Sequence, residues 1–246
     1  MKKYIKSGYH PFFVILLLAG VMGFSFRSLP DNSMINGAWK LQKGSVEQVL
    51  IFNNGYFMHT TFDKSKKLLI QTRGGAYKYA GSQLEANIEF SPNFKEEIGQ
   101  TKKYSFAINK ERLASDINGR KEVWTMLDNG KGPMVGTWRS SGRMQDGKIV
   151  LSPPRARKTF KILSGTRYQW AAINAETKEF FGTGGGSYTY VDGKYTETLD
   201  FFTKDSTKVG ISLTFDGKIH GDLWHHSGFS SQGAKMYEIW KMEPKL

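Results

Sequence analysis

Gly185-Gly186-Ser187-Tyr188-Thr189-Tyr190 restates Gly74-Gly75-Ala76-Tyr77-Lys78-Tyr79, 111 residues further along a chain of 246. Outward from this pair, two more landmarks recur in the same order. Gly37-Ala38-Trp39-Lys40-Leu41 returns as Gly136-Thr137-Trp138-Arg139-Ser140 at an offset of 99, and Val123-Trp124-Thr125-Met126 returns as Ile239-Trp240-Lys241-Met242 at 116. Three ordered landmarks imply a duplicated domain of roughly 100 residues. The expected division is a first copy over 31–127, a linker over 128–133 (Asp128-Asn129-Gly130-Lys131-Gly132-Pro133) and a second copy over 134–246.

Each copy is long enough to bury its own core. Aromatic residues make up 14% of the chain and 27 residues are glycine, a combination that suits short strands joined by tight turns. About eight strand-like runs per copy follow from the alternation of apolar and polar residues. Asn54-Gly55, Asp192-Gly193 and Asp216-Gly217 have the form of two-residue hairpin turns, so Lys208–Phe215 and Lys218–His225 read as separate strands. An additional hairpin is expected around Asp146-Gly147, and a helical turn near Pro92–Glu97. The fold class is therefore all-β, with two tandem antiparallel up-and-down β-barrels of about eight strands each. Closing such a sheet on itself removes its edges.

The formal charge is +13. It is spread evenly, with 14 basic against 10 acidic side chains in 31–127 and 17 against 12 in 128–246. Arg155-Ala156-Arg157-Lys158 is the one dense basic run, which speaks against nucleic acid as a partner. The chain has no cysteine, so neither barrel relies on a disulfide and no lipidation cysteine is present. Lys2, Lys3 and Lys6 precede an apolar run of 13 residues, Phe12–Phe24. That is short for a membrane span, which takes about 20 apolar residues. Residues 1–30 thus read as a signal peptide, with a retained N-terminal membrane anchor as the alternative. Either reading places the rest of the chain in the periplasm or cell envelope or outside the cell.

The ordered set of a Gly-x-Trp first strand, a Gly-Gly-x-Tyr-x-Tyr strand and a closing strand returning to the first resembles lipocalin-like domains. The stretch from Gly185 to Glu197 in particular is similar to exported bacterial lipocalin-like proteins of unknown function. The resemblance implies two lipocalin-like barrels over 35–242 and a ligand-sized cavity. It implies no activity.

Between Gly74 and Phe90 the copies align without a gap. Leu84, Ala86, Ile88 and Phe90 should share one strand face, and their counterparts are Tyr195, Glu197, Leu199 and Phe201. Glu197 therefore stands on an apolar face where the first copy has Ala86. A carboxylate there is costly unless paired, so Glu197 is the first candidate for a ligand anchor or an acid/base group. Tyr168, Trp170 and Tyr188 add aromatic walls with polar handles, and His225, read on one strand with Ile219 and Leu223, joins the candidate set. No metal site is expected, since His220, His225 and His226 do not converge along one strand and cysteine is lacking. Gly182–Ser187 lacks the ending of a phosphate loop. No cofactor is implied. The expected function is binding of a small, largely apolar molecule in the second barrel. The rivals are an enzyme on that barrel with Glu197 as acid/base, and a structural or adhesive envelope protein with filled barrels.

Overall fold

A computed structural model describes Met1 and residues 32–246; the signal-peptide or anchor segment lies outside the described residues. Two closed, eight-stranded antiparallel barrels follow one another. The first comprises β1 (Gly37–Lys43), β2 (Val46–Asn53), β3 (Tyr56–Asp63), β4 (Leu68–Ala80), β5 (Gln83–Phe90), β6 (Thr101–Asn109), β7 (Arg112–Ser115) and β8 (Glu122–Asp128), closed by pairing of β1 with β8. The second comprises β9 (Gly136–Gln145), β11 (Arg157–Leu163), β12 (Arg167–Asn174), β13 (Glu179–Val191), β14 (Lys194–Phe202), β15 (Ser212–His220), β16 (Leu223–Phe229) and β17 (Lys235–Met242). Pairing of β9 with β17 closes it. The short β10 (Lys148–Leu151) folds back on β9 through the Asp146-Gly147 turn and stands outside the ring. These barrels fit the lipocalin-like fold.

The duplication is visible atom by atom. Trp39 Nε1 donates to the Ile35 carbonyl at 3.1 Å, and Trp138 Nε1 to the Met134 carbonyl at 3.0 Å. Both indoles are fully buried plugs. A 3-10 turn at Lys95–Glu97 has its counterpart at Ser206–Lys208. The register breaks between Gly74 and Gly75 and again between Gly185 and Gly186. A Cβ on Gly75 would stand 1.9 Å from the Asn87 carbonyl oxygen, so only glycine lets the two backbones approach there.

That bulge corrects one expectation. It inserts Glu89 and Asp200 as extra residues opposite the glycine pair and reverses the alternation beyond them. Phe90 and Phe201 consequently leave the barrel interiors and join the cluster between the barrels. A second correction concerns Asp216-Gly217, which is no hairpin turn. Both residues lie within β15, Gly217 pairs with His226, and the chain turns at Gly221-Asp222, with Gly221 at φ 61°. Gly217 is needed for packing: a Cβ would meet Trp224 Nε1 and the Tyr190 ring at 3.3 Å. Lys110, at φ 53° between β6 and β7, is the counterpart of Gly221 in the first barrel.

The barrels pack outer face against outer face. Val49, Ile51, Met58, Phe62 and Phe90 meet Phe160, Ile162, Ala171, Ile173 and Phe201 in one buried cluster. Gln169 crosses this seam. Its amide oxygen accepts from Thr60 Oγ1 at 2.7 Å, and its nitrogen donates to Thr72 Oγ1 at 2.9 Å and Thr183 Oγ1 at 3.0 Å. Asp200 binds Lys64 from one barrel and Arg167 from the other at 2.6 and 2.9 Å. At the junction Asp128 accepts from Gly130 N, Ser164 Oγ, Gly165 N, and both the N–H and hydroxyl of Thr166, at 2.7–3.0 Å.

Candidate functional site

The first barrel is filled. Trp39, Leu50, Phe52, Phe57, Tyr77, Leu84, Ala86, Ile88, Phe106, Leu113 and Trp124 close its interior with little or no exposure. The second barrel repeats much of this packing with Trp138, Tyr168, Tyr188, Tyr195, Trp224 and Trp240, but at two positions it has a charged side chain where the first has an aliphatic one. β11 places Lys161 opposite Trp138, in the register that places Leu50 opposite Trp39. β14 places Glu197 opposite Tyr188, in the register that places Ala86 opposite Tyr77. Two aliphatic side chains of one barrel thus become a cation and an anion in the other, and the two meet: Lys161 Nζ lies 3.2 Å from Glu197 Oε2.

Both are buried, Lys161 to 3% exposure and Glu197 to 7%. The ammonium also sits 5.1–5.4 Å from the ring centroids of Tyr168, Tyr195, Trp224 and Trp240. Ring faces are electron-rich, so this cage offsets part of the lost hydration of the cation. Burial, and next the nearby Glu197 carboxylate, hold the Tyr168 and Tyr195 hydroxyls well above the ordinary phenol range. The Tyr195 hydroxyl is close enough to Glu197 for its charge to act, yet neither hydroxyl makes a hydrogen bond of ordinary geometry.

Above this pair opens a cavity of about 410 Å³ in the mouth of the barrel. Its apolar walls include Trp170, Leu199, Phe202, Leu213, Phe215 and Trp240, and its polar groups include Lys161, Glu197, His226 and Glu238. His226 is 2% exposed. Its Nδ1 faces Glu238 Oε2 at a long 3.4 Å, and its Nε2 has no partner. Burial, reinforced by the Lys161 charge, holds this imidazole below its ordinary pKa against the opposing pull of Glu238. Burial alone would raise the Glu238 carboxyl. The contacts from His226, the Lys161 charge and the Trp240 N–H at 3.0 Å bring it below the usual carboxylate range instead. With Nδ1–H turned to Glu238, Nε2 presents a lone pair with no donor.

Of the residues singled out from the sequence, Glu197 and Trp170 line this cavity. Tyr168 lies beneath it, against Lys161. Tyr188 is a core residue whose hydroxyl donates to the Ser164 carbonyl at 2.5 Å, away from the cavity lining. His225 is the third correction. It is paired with the Tyr237 hydroxyl at 3.0 Å and with the exposed His220 ring at 5.3 Å, on the outer surface. The turn at Gly221-Asp222 separates its strand from the one assumed, and β16 turns His226 inward instead. Lys161, His226 and Glu238 are the residues that sequence reasoning missed. The offset of 111 carries Leu50 onto Lys161 as it carries Ala86 onto Glu197, so extending the repeat comparison to β2 would have found the pair. Among the described residues no three potential ligand side chains converge on a metal position.

A larger cavity of about 570 Å³ lies at the junction of the barrels, between Tyr56, Glu89, Arg139 and Lys158 and the chain from Met242 to Leu246. Its interior charges already satisfy one another: Arg139 binds Glu243 at 2.6 Å, and Lys158 and the Tyr56 hydroxyl both bind Glu89. The barrel-mouth cavity, with an unpaired buried nitrogen, has the stronger chemical demand despite its smaller size.

No protein-family model matches the chain, and no curated protein matches it. Among solved structures the chain is similar to the Helicobacter pylori β clamp in complex with carprofen. That likeness has a TM-score of 0.17 and 7% identity over 83% of this chain and 54% of that one. The chain thus spans about half the length of that structure, and a likeness at this level bears on neither fold nor function.

Proposed function

We propose that the protein binds a small molecule with an apolar body in the mouth of its second barrel. The observation that carries this reading is the replacement of Leu50 and Ala86 by the buried Lys161–Glu197 pair. The first barrel closes without charges at these positions, so the fold does not need them. Burying an ion pair rarely stabilises more than an apolar pair of similar size. A costly polar pair at the floor of a cavity with apolar walls supports recognition of a ligand. Its size also suits a ligand, since binding pockets start near roughly 300 Å³.

Acid/base chemistry by Glu197 is less well supported, because Lys161 already holds its carboxylate. We further propose that the chain is exported, on the strength of Lys2, Lys3 and Lys6 followed by Phe12–Phe24. The binding reading is tested with N-phenyl-1-naphthylamine, a neutral aromatic fluorophore, titrated into the full chain. Saturable binding at one site, abolished by an Ala172→Trp substitution that fills the mouth, is expected. Absence of saturable binding, or binding indifferent to Ala172→Trp, overturns it.

A further inference from the structure

The cavity floor has a charge count that selects among ligands. Four charged side chains line it, Lys161, Glu197, Glu238 and, at the rim, Lys204, with the His226 imidazole held below its ordinary pKa beside them. Lys161 and Glu197 cancel each other at 3.2 Å. Glu238 has no cation of its own. It accepts from the Trp240 indole at 3.0 Å and faces the His226 ring at 3.4 Å, both uncharged donors. Arg143 stands opposite Glu238 in the β9–β17 register, but it is exposed and directed at Gln145 at 3.5 Å. Lys204, at the rim, is exposed and lies over the Trp170 ring at 5.3 Å, where water and salt screen it. Glu238, its side chain 37% exposed, is therefore a carboxylate with no cation in contact, next to a buried imidazole nitrogen that lacks a donor.

On the reading that this cavity binds a small molecule, we infer that its ligand is an organic monocation: a primary or secondary ammonium on an apolar, preferably aromatic, body. Its N–H groups would donate to Glu238 and to His226 Nε2, the two acceptors that want them. Its charge would pair with Glu238. Its body would lie against Trp170, Trp240 and Phe202. These walls already tolerate cations, since Lys204 rests on Trp170 and Lys161 on Trp240. A carboxylate ligand fits worse. It would have to displace Glu197 from Lys161 and would lie beside the like-charged Glu238.

The test compares three probes of nearly equal shape on the full chain at pH 7.5: 4-phenylbutylammonium, 4-phenylbutanol and 4-phenylbutyrate, each by isothermal titration calorimetry. The ammonium should bind about tenfold or more tighter than the alcohol, the advantage expected of a desolvated cation given a carboxylate and ring faces, and the carboxylate should bind weakest. Glu238→Gln keeps an acceptor for Trp240 and should bring the ratio of ammonium to alcohol affinity down to about one. If the carboxylate binds best, or ammonium and alcohol bind equally, the inference fails while the binding site stands. If none of the three binds, the site itself fails. The ranking in the unsubstituted protein decides these outcomes even where Glu238→Gln does not fold.

Discussion

Replacing the buried pair by apolar residues of similar volume, Lys161→Met with Glu197→Leu, should leave the protein nearly as stable as before, although each substitution alone is damaging. Lys161→Met strands the Glu197 carboxylate at 7% exposure with no cation, a defect of about 3–5 kcal/mol for a fully buried pair. The cavity gives the carboxylate some access to water, so the lower end, about 3 kcal/mol, applies. Glu197→Leu strands the Lys161 ammonium, but four ring centroids within 5.1–5.4 Å remain around it. At roughly 0.5 kcal/mol or more for each such contact, the cage lowers that defect to about 2 kcal/mol. The double substitution removes both charges and reproduces the apolar character of Leu50 and Ala86, and should fall within about 1 kcal/mol of the starting protein. The coupling between the two sites is then about 4 kcal/mol. Urea unfolding followed by tryptophan fluorescence measures it, because four of the six tryptophans, Trp138, Trp170, Trp224 and Trp240, belong to the second barrel. A double variant as unstable as the two singles summed would refute the reasoning, by showing that each charge serves the fold independently.

Three further outcomes follow from other parts of the molecule. His59 and His226 are both buried and held below their ordinary pKa. The unfolded chain therefore takes up protons that these folded imidazoles refuse, so stability is fully present above about pH 6.5 and falls on acidification. The slope should approach 1.4 kcal/mol per pH unit for each histidine; urea midpoints from pH 5 to 8 that are as steep in His59→Gln and His226→Gln as in the starting protein would contradict this. Gln169→Ala removes two hydrogen bonds across the seam and a third to Thr183 within the second barrel and leaves a void, at a cost of about 2–4 kcal/mol. Calorimetry should then resolve the two barrels as separate transitions, and an unchanged thermogram would argue against a coupled seam. Gly75→Ala forces a Cβ to within 1.9 Å of the Asn87 carbonyl and should cost about 3 kcal/mol or more, so a variant with an unaltered urea midpoint would show the bulge to be soft.

The duplication was legible because it rests on residues the fold cannot vary: the Trp39 and Trp138 plugs, the glycine pairs at the bulge and the closing strands. What escaped was what local pattern cannot carry. Asp216-Gly217 has hairpin chemistry, yet Gly217 is glycine because Trp224 and Tyr190 crowd it. That single misreading displaced the strand boundary and put His225, instead of His226, on the inner side. Phe90 and Phe201 were placed inside because strict alternation cannot see the bulge that reverses it. Glu197 was legible as an oddity against Ala86, but its partner was not. Lys161 sits near a basic run that looks like a solvated face, and only pairing in three dimensions turns it inward.

The seam explains what a filled first barrel contributes to the second. β11 alternates Phe160 and Ile162, packed in the inter-barrel cluster, with Lys161 and Leu163, turned into the second barrel. β12 does the same, with Gln169 and Ala171 in the seam and Tyr168 and Trp170 turned inward. The Phe160 ring is wedged edge-on against Tyr56 at 5.1 Å and Phe90 at 6.1 Å. The two strands that carry the ammonium, its aromatic cage and the cavity wall are therefore fixed from behind by the other copy. A site holds its geometry when the elements bearing it cannot shift. The first barrel supplies that immobility through its packed core. On this account a substitution at Phe160, far from any ligand, should loosen binding through Lys161 without touching the cavity.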